Sequence, residues 1–251
     1  METAIDGCGA VCAGAGSVYT ASEKDGVIYR LDEKLLPCGV YAGGPGMSAL
    51  RITKDGERLF ALLSDADSVL MLGGQDGLPM FLARVGVNPR QMRLQEGGRY
   101  LTIAGGRDGS ATVLCAHTLK PLCSSTEEGV CCDAMLLDGC LYALRLTPAL
   151  DTCLSRWDEQ GKCRHLFLPG EPGSLCRRGN ALLVSAGQWL YAIETAQMRL
   201  KKKRFLSGFP GRLISAGKTL LLLCPGDETL YRLDMHGKRK FCSMALDAAC
   251  E

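Results

Sequence analysis

The sequence predicts an all-β fold built from one repeated four-strand unit, and three observations carry that expectation. Apolar runs of five or six residues, the usual strand length, recur along all 251 residues, and none is long enough for a helix. Each run is fenced by Gly, Pro or Asp-Gly, which suit tight turns because glycine accepts positive φ cheaply. The turn markers also recur about every 40 residues, at Gly16, Gly56, Gly98, Gly139, Gly179 and Gly217. A second series, Pro45-Gly46, Pro89, Pro172-Gly173 and Pro210-Gly211, opens the units in phase with the first.

The second unit (46–86) is the clearest. SALRIT (48–53) alternates apolar and polar residues, and Lys54-Asp55-Gly56 turns the chain. RLFALL (58–63) is nearly all apolar, as expected of a strand buried on both faces. After Ser64-Asp65-Ala66-Asp67 come SVLML (68–72), a glycine-rich turn and MFLARV (80–85). Unit one (7–43) supplies AVCAG, SVYTAS, GVIYRLD and CGVYAG. Unit three (88–128) has QMRLQ, YLTIAG, SATVLC and a weak fourth strand near PLCSS, and unit four (130–169) has DAMLL, LYALRL, TCLSRWD and CRHLFL. Unit five (172–207) reads SLCRR, ALLVSAG, LYAIE and KKKRFL, and unit six, from 210 onward, RLISA, TLLLLC, TLYRLD and RKFCSMAL. Four short strands at this period are the signature of a β-propeller blade. The expectation is a single domain over 1–251, a six-bladed β-propeller with four-stranded blades (alternative: seven blades), with 1–6 or 246–251 adding a strand across the closing seam.

Composition narrows the function. A formal net charge of +2 is too close to neutral for a typical nucleic-acid binder. The start lacks a basic region followed by a long apolar one, and nowhere are there 18 consecutive apolar residues, so the expectation is a cytoplasmic chain with no membrane association. Fourteen cysteines without a CxxC pair, most within apolar runs, read as reduced thiols acting as small hydrophobes.

The units resemble the YVTN-type propeller repeats of the bacterial YncE-like proteins. The likeness rests on GMSALRITKDGERLFAL in unit two, NPRQMRLQEGGRYLTIAG in unit three, and the third strands GVIYRLD and TLYRLD. The Asp-Gly turn is replaced by Gly97-Gly98, Gly179-Asn180 and Gly217-Lys218 in other units, and the fourth unit lacks its opening proline. The resemblance implies a fold more than an activity, since such members include ligand binders, nucleic-acid binders and relatives of sugar-lactone hydrolases.

The candidate chemistry is sparse. His117, His165 and His236 fall on outer strands of three different units and do not form a metal set. Cys131-Cys132-Asp133 opens an inner strand, reading either as a channel-facing reactive thiol or, preferably, as one buried and one lining cysteine. Lys201-Lys202-Lys203-Arg204 is either an acidic-partner site or, preferably, an edge strand guarded against pairing. The glycine-rich stretch 105–109 lacks the lysine and following helix of a phosphate loop, and no G-x-S-x-G is present. That leaves the polar loops at the channel mouth, with Asp65, Arg90, Arg107, Asp108, Asp133, Arg145 and Arg212 as ligand-binding candidates, and Asp67, Gln188, Trp189, Asp227 and Glu228 beside them. Arginines with alternating acids suit a polar or anionic ligand. The expected function is a non-enzymatic, cofactor-free and metal-free binding module, monomeric, holding a small polar ligand, peptide or partner protein. The alternative is a lactonase-like hydrolase using Asp65, Asp108, Asp133, Arg90 and Arg212.

Overall fold

The computed structural model describes residues 8–22, 24–206, 211–216, 219–224, 229–233 and 239–242. Sheet one contains β1 (Cys8–Gly14), β2 (Ser17–Ser22), β3 (Val27–Leu31) and β4 (Pro37–Ala42). Sheet two contains β5 (Met47–Ile52), β6 (Arg58–Leu63), β7 (Ser68–Gly73) and β8 (Pro79–Arg84). Sheet three contains β9 (Gln91–Gln95), β10 (Tyr100–Gly105), β11 (Ser110–Cys115) and β12 (Pro121–Thr126), with one 3-10 turn at Glu96–Gly98. Sheet four contains β13 (Val130–Leu137), β14 (Cys140–Leu146), β15 (Thr152–Trp157) and β16 (Cys163–Leu168). Sheet five contains β17 (Pro172–Arg178), β18 (Ala181–Ala186), β19 (Trp189–Glu194) and β20 (Arg199–Phe205). Sheet six contains β21 (Arg212–Ala216), β22 (Thr219–Cys224), β23 (Thr229–Leu233) and β24 (Arg239–Cys242). In every sheet the strands lie in chain order. The chain divides into two compact units, Met1–Ala143 and Leu144–Glu251, the division falling within β14. Among the described residues no helix is long and apolar enough to cross a membrane.

The repeat markers have a backbone cause. Gly16, Gly56, Gly97, Gly98, Gly139 and Gly179 all take positive φ between the first and second strands of their sheets. Two of these turns are two-residue hairpins with both central residues at positive φ, Ala15-Gly16 and Asp138-Gly139, the twist that matches paired strands. Asp55-Gly56 sits in a wider turn closed by Thr53 N–H on Arg58 O. There the Asp55 carboxylate accepts from the Thr53 hydroxyl and the Glu57 N–H, and these bonds hold its pKa below the usual carboxylate value. Gly217 and Pro210 lie outside the described residues, as do His236, Asp227, Glu228 and the proposed seam segments 1–6 and 246–251.

Period-two alternation explains why the second strands read as unbroken apolar runs. In β6, Leu59, Ala61 and Leu63 pack with Tyr19, Ile28 and Tyr41 of sheet one. Phe60 and Leu62 point the other way and pack with Met92, Leu101 and Ile103 of sheet three. In the second unit, Leu183 and Leu190 of sheet five meet Leu213, Leu220 and Leu222 of sheet six. Of the fourth strands, β8 and β20 are almost wholly exposed, whereas Tyr41 of β4 reaches the first core.

Candidate functional site

In the first unit the polar loops are pinned to one another by side chains of the second-to-third-strand turns. Val85 N–H donates to Asp67 O at 2.8 Å, and Asn88 N–H to Asp67 Oδ1 at 2.7 Å. One sheet on, Asp108 Oδ2 accepts from Val87 N–H at 2.9 Å and Oδ1 from Ser110 N–H at 3.0 Å. Val87 O in turn accepts from Arg107 N–H, and Gly106 O from Cys131 N–H, at 3.0 and 2.9 Å. At Gly106, φ is +38° and a Cβ would lie 1.9 Å from Asn88 O, so only glycine lets the loops approach this closely. Likewise Ser64 N–H donates to Gly46 O at 2.9 Å. These bonds place the loops 64–67, 85–90 and 106–109 at one end of sheets two and three.

The candidate residues then separate by what already holds them. Asp65, Arg90 and Arg107 are exposed on these loops. Asp108 is half-buried and its carboxylate is occupied by two backbone donors. Asp133 stands on β13, not on a loop, and is 1 % exposed. Its carboxylate makes a two-bond ion pair with Arg93 of β9, Nε to Oδ1 at 2.9 Å and the second bond from Nη2 to Oδ2, and Ala134 N–H also donates to it. In the second unit Arg145 is on β14, fully buried, with its guanidinium carbon 4.7 Å from the centre of the Trp157 ring. Arg212 is exposed at the start of β21. So the structure brings Asp65, Arg90 and Arg107 to one solvent-facing end of the first unit. It gives Asp108 and Asp133 bonding partners within the fold.

Sequence reasoning missed Arg93 and Gln95. Both face the next inner strand: Gln95 Nε2 donates to Leu136 O at 2.8 Å and Gln95 Oε1 accepts from Leu136 N–H at 3.0 Å. The signal was present in QMRLQ, where polar Gln91, Arg93 and Gln95 alternate with Met92 and Leu94.

The cysteine pair and the basic run both lie on strands, β13 and β20. Cys131 is buried and Cys132 half-buried, their thiols directed at Asp133 O and Val130 O. Cysteines 12, 38, 115, 123, 140, 153, 163 and 176 likewise form no disulfide. Burial pushes the Cys12 thiol up to about 12 and raises that of Cys123, whereas bonds from the Thr118 hydroxyl and the His117 N–H lower that of Cys115. His117 is exposed beside Arg58. The basic run lies on β20, where Lys201 pairs with Glu194 at 3.4 Å and Lys203 sits 5.0 Å from the centre of the Trp189 ring.

No protein-family model matches the chain, and no curated protein sequence matches it. Its architecture resembles that of solved structures. Hydrazine synthase of Kuenenia stuttgartiensis aligns at TM-score 0.75 and 15% identity, over 94% of this chain and 78% of that one. Virginiamycin B lyase from Staphylococcus aureus aligns at TM-score 0.75 and 12% identity, over 96% and 85%. BamB from Moraxella catarrhalis aligns at TM-score 0.68 and 14% identity, over 93% and 75%. At such identities the likeness speaks to fold alone, and the fold these proteins share with this chain is the β-propeller.

Proposed function

We propose that this chain is a six-bladed, YVTN-like propeller that works as a cytoplasmic, monomeric binding module rather than as an enzyme or a nucleic-acid binder. Its ligand is a small polar or anionic molecule, or an acidic peptide or protein segment, taken by Arg90 and Arg107 with Asp65 beside them. The observation that supports this is the division of labour on the loops. Asp67 and Asp108 spend their carboxylates on the Asn88, Val87 and Ser110 N–H groups and rigidify the loops. Asp65, Arg90 and Arg107 are left exposed on those rigid loops. Fixed loops lower the ordering cost of binding, and guanidinium groups recognise carboxylates and phosphates by paired, charge-assisted bonds. The lactonase-like alternative draws less support, because Asp108 and Asp133, two of its three acids, are already bonded within the fold.

The test is a thermal-shift panel of sugar acids, lactones, sugar phosphates and acidic peptides. At least one class is expected to raise the melting temperature of the native chain, and an Arg90→Ala/Arg107→Ala double variant to lose that rise while melting unassisted as the native chain does. A panel without any shift, or a shift that survives the double variant, overturns the assignment. Turnover of a lactone would replace it with the hydrolase reading.

A further inference from the structure

The last strand of sheet five, β20, carries a charge that neither the core nor the loop site uses. Five of its seven residues, Arg199, Lys201, Lys202, Lys203 and Arg204, are cations and none is an acid, in a chain whose formal net charge is +2. Guarding an edge against pairing takes far less. β4 and β12 have no charged residue, and β8 and β16 have one arginine each. Among the described residues the run makes one ion pair, Lys201 Nζ to Glu194 Oε1 at 3.4 Å, and even that lysine keeps 54 % of its side chain exposed.

The backbone of the same strand is open on one side, since β20 pairs with β19 alone. Leu206 N–H donates to Gln188 O at 2.8 Å. By ladder alternation Arg204 and Lys202 then bond to β19, while Lys203 and Phe205 turn their N–H and C=O groups outward. A bulge at Lys201, where the register shifts between Ala192 and Ile193, sets the first part of the strand apart and leaves Lys202 to Phe205 as the regular stretch. Lys203 and Phe205 share the face of Trp189, with Lys203 Nζ 5.0 Å and the Phe205 ring centre 5.3 Å from the centre of its ring. Lys202 and Arg204 stand on the other face, across from Ala192 and Leu190.

We propose that the Lys202–Phe205 edge is a docking site for an extended, acid-rich segment of another protein, which adds to sheet five as an antiparallel strand. Ladder bonds to Lys203 and Phe205 supply affinity, and cross-strand pairs supply the choice of partner. Acids at three consecutive partner positions meet Lys202, Lys203 and Arg204 on alternating faces. An aromatic residue just ahead of them meets Phe205 and the Trp189 ring beside it. Read from its N-terminus, the partner motif is therefore aromatic-acid-acid-acid. The same lysines reject a second copy of this strand by like-charge repulsion, so guarding the edge and selecting its partner are one property. Cations on both faces suit a strand lying in the plane of the sheet better than a flat anionic surface, which would meet one face.

Fluorescence anisotropy on the native chain tests this with a fluorescein-labelled peptide, Gly-Thr-Phe-Glu-Glu-Glu-Thr-Gly. Saturable binding is expected, weakening as salt rises from about 0.05 M to about 0.3 M. Lys202→Ser/Lys203→Ser should weaken it about tenfold, since two opposite-charge pairs are lost, with circular dichroism unchanged. N-methylating the phenylalanine and the middle glutamate, which face Phe205 and Lys203, keeps every charge but removes the ladder donors, and should also weaken binding about tenfold. The Arg90→Ala/Arg107→Ala variant should bind as the native chain does, which separates this edge from the loop site. No saturable binding, binding that survives the lysine double variant, or binding lost in the arginine double variant overturns the proposal. Equal binding of the N-methylated peptide overturns it too, and displacement by duplex DNA or phosphatidylserine vesicles would then assign the run to a general polyanion surface.

Discussion

Strands β6 and β8 belong to one sheet and read almost alike, RLFALL against PMFLAR, yet their fates are opposite. Phe60 is 0 % exposed and Phe81 is 46 % exposed. β6 lies second in the sheet, so its two faces are covered by the side chains of sheets one and three. β8 lies last, paired on one side only with β7, and Met80 and Leu82 are as exposed as Phe81. Apolar composition therefore does not tell a core strand from an outer one in this repeat; position within the unit does. The same asymmetry governs charge. Arg93 and Asp133 on inner strands form a buried pair, whereas Lys201 to Lys203 on β20 stand in solvent.

The comparison breaks or holds most clearly with one residue type at both positions. Phe60→Ala should cost about 3–5 kcal/mol, the range for emptying a packed aromatic site between two sheets. Phe81→Ala should fall within about 0.5 kcal/mol of the native chain, as surface substitutions do. Urea unfolding of both variants measures the two together. Equal losses would mean that β8 is covered in solution by something that its exposed edge does not reveal.

The charged half of the comparison predicts a smaller loss. Asp133→Ala strands Arg93, and breaking a buried pair by removing one partner costs about 3–5 kcal/mol. Arg93 keeps 18 % of its side chain in contact with solvent, so the freed guanidinium is partly hydrated and the loss should lie near the lower end, about 3 kcal/mol. The double variant Arg93→Met/Asp133→Leu should recover much of it. A loss below about 1 kcal/mol from Asp133→Ala would place the pair among ordinary surface ion pairs and free Asp133 to serve as a ligand group.

Most of the fold was legible because blade geometry is written locally. Arg58–Leu63 was read with the bounds of β6, and the weak PLCSS became β12. The glycine markers reflect a φ requirement that leaves a residue-level trace. The candidate site was legible only in part. Asp65, Arg90 and Arg107 were read as loop residues, and they are exposed on loops, because loop polarity is visible in the sequence. Asp133 and Arg145 were placed at a mouth because nothing local announces that Arg93, forty residues earlier, closes on the one, or that Trp157 lies under the other. His165 was read as an outer-strand, exposed histidine and is one; its contact with Ser155 was out of reach because it is a matter of register between strands, and register is not written in either strand alone.

The last prediction uses β20 as the measure for β8. Both are edge strands, and an unpaired apolar edge invites pairing with another chain, while lysines prevent it. Just past β8, Val85 N–H bonds back to Asp67 O, so by ladder alternation Leu82 and Arg84 of β8 turn their backbone groups outward. Leu82, 64 % exposed, is thus the centre of the unprotected stretch. Leu82→Lys gives β8 the protection that β20 has. Stability in urea should stay within about 0.5 kcal/mol of native, while turbidity on heating should fall and recovery on cooling should rise. A stability loss above about 1 kcal/mol would show that Leu82 packs against a surface and that the two edges differ for a structural reason. Unchanged turbidity would locate the aggregation-prone edge on another outer strand, with the Val40 of β4 or the Phe167 of β16, both exposed, as the next positions for a lysine.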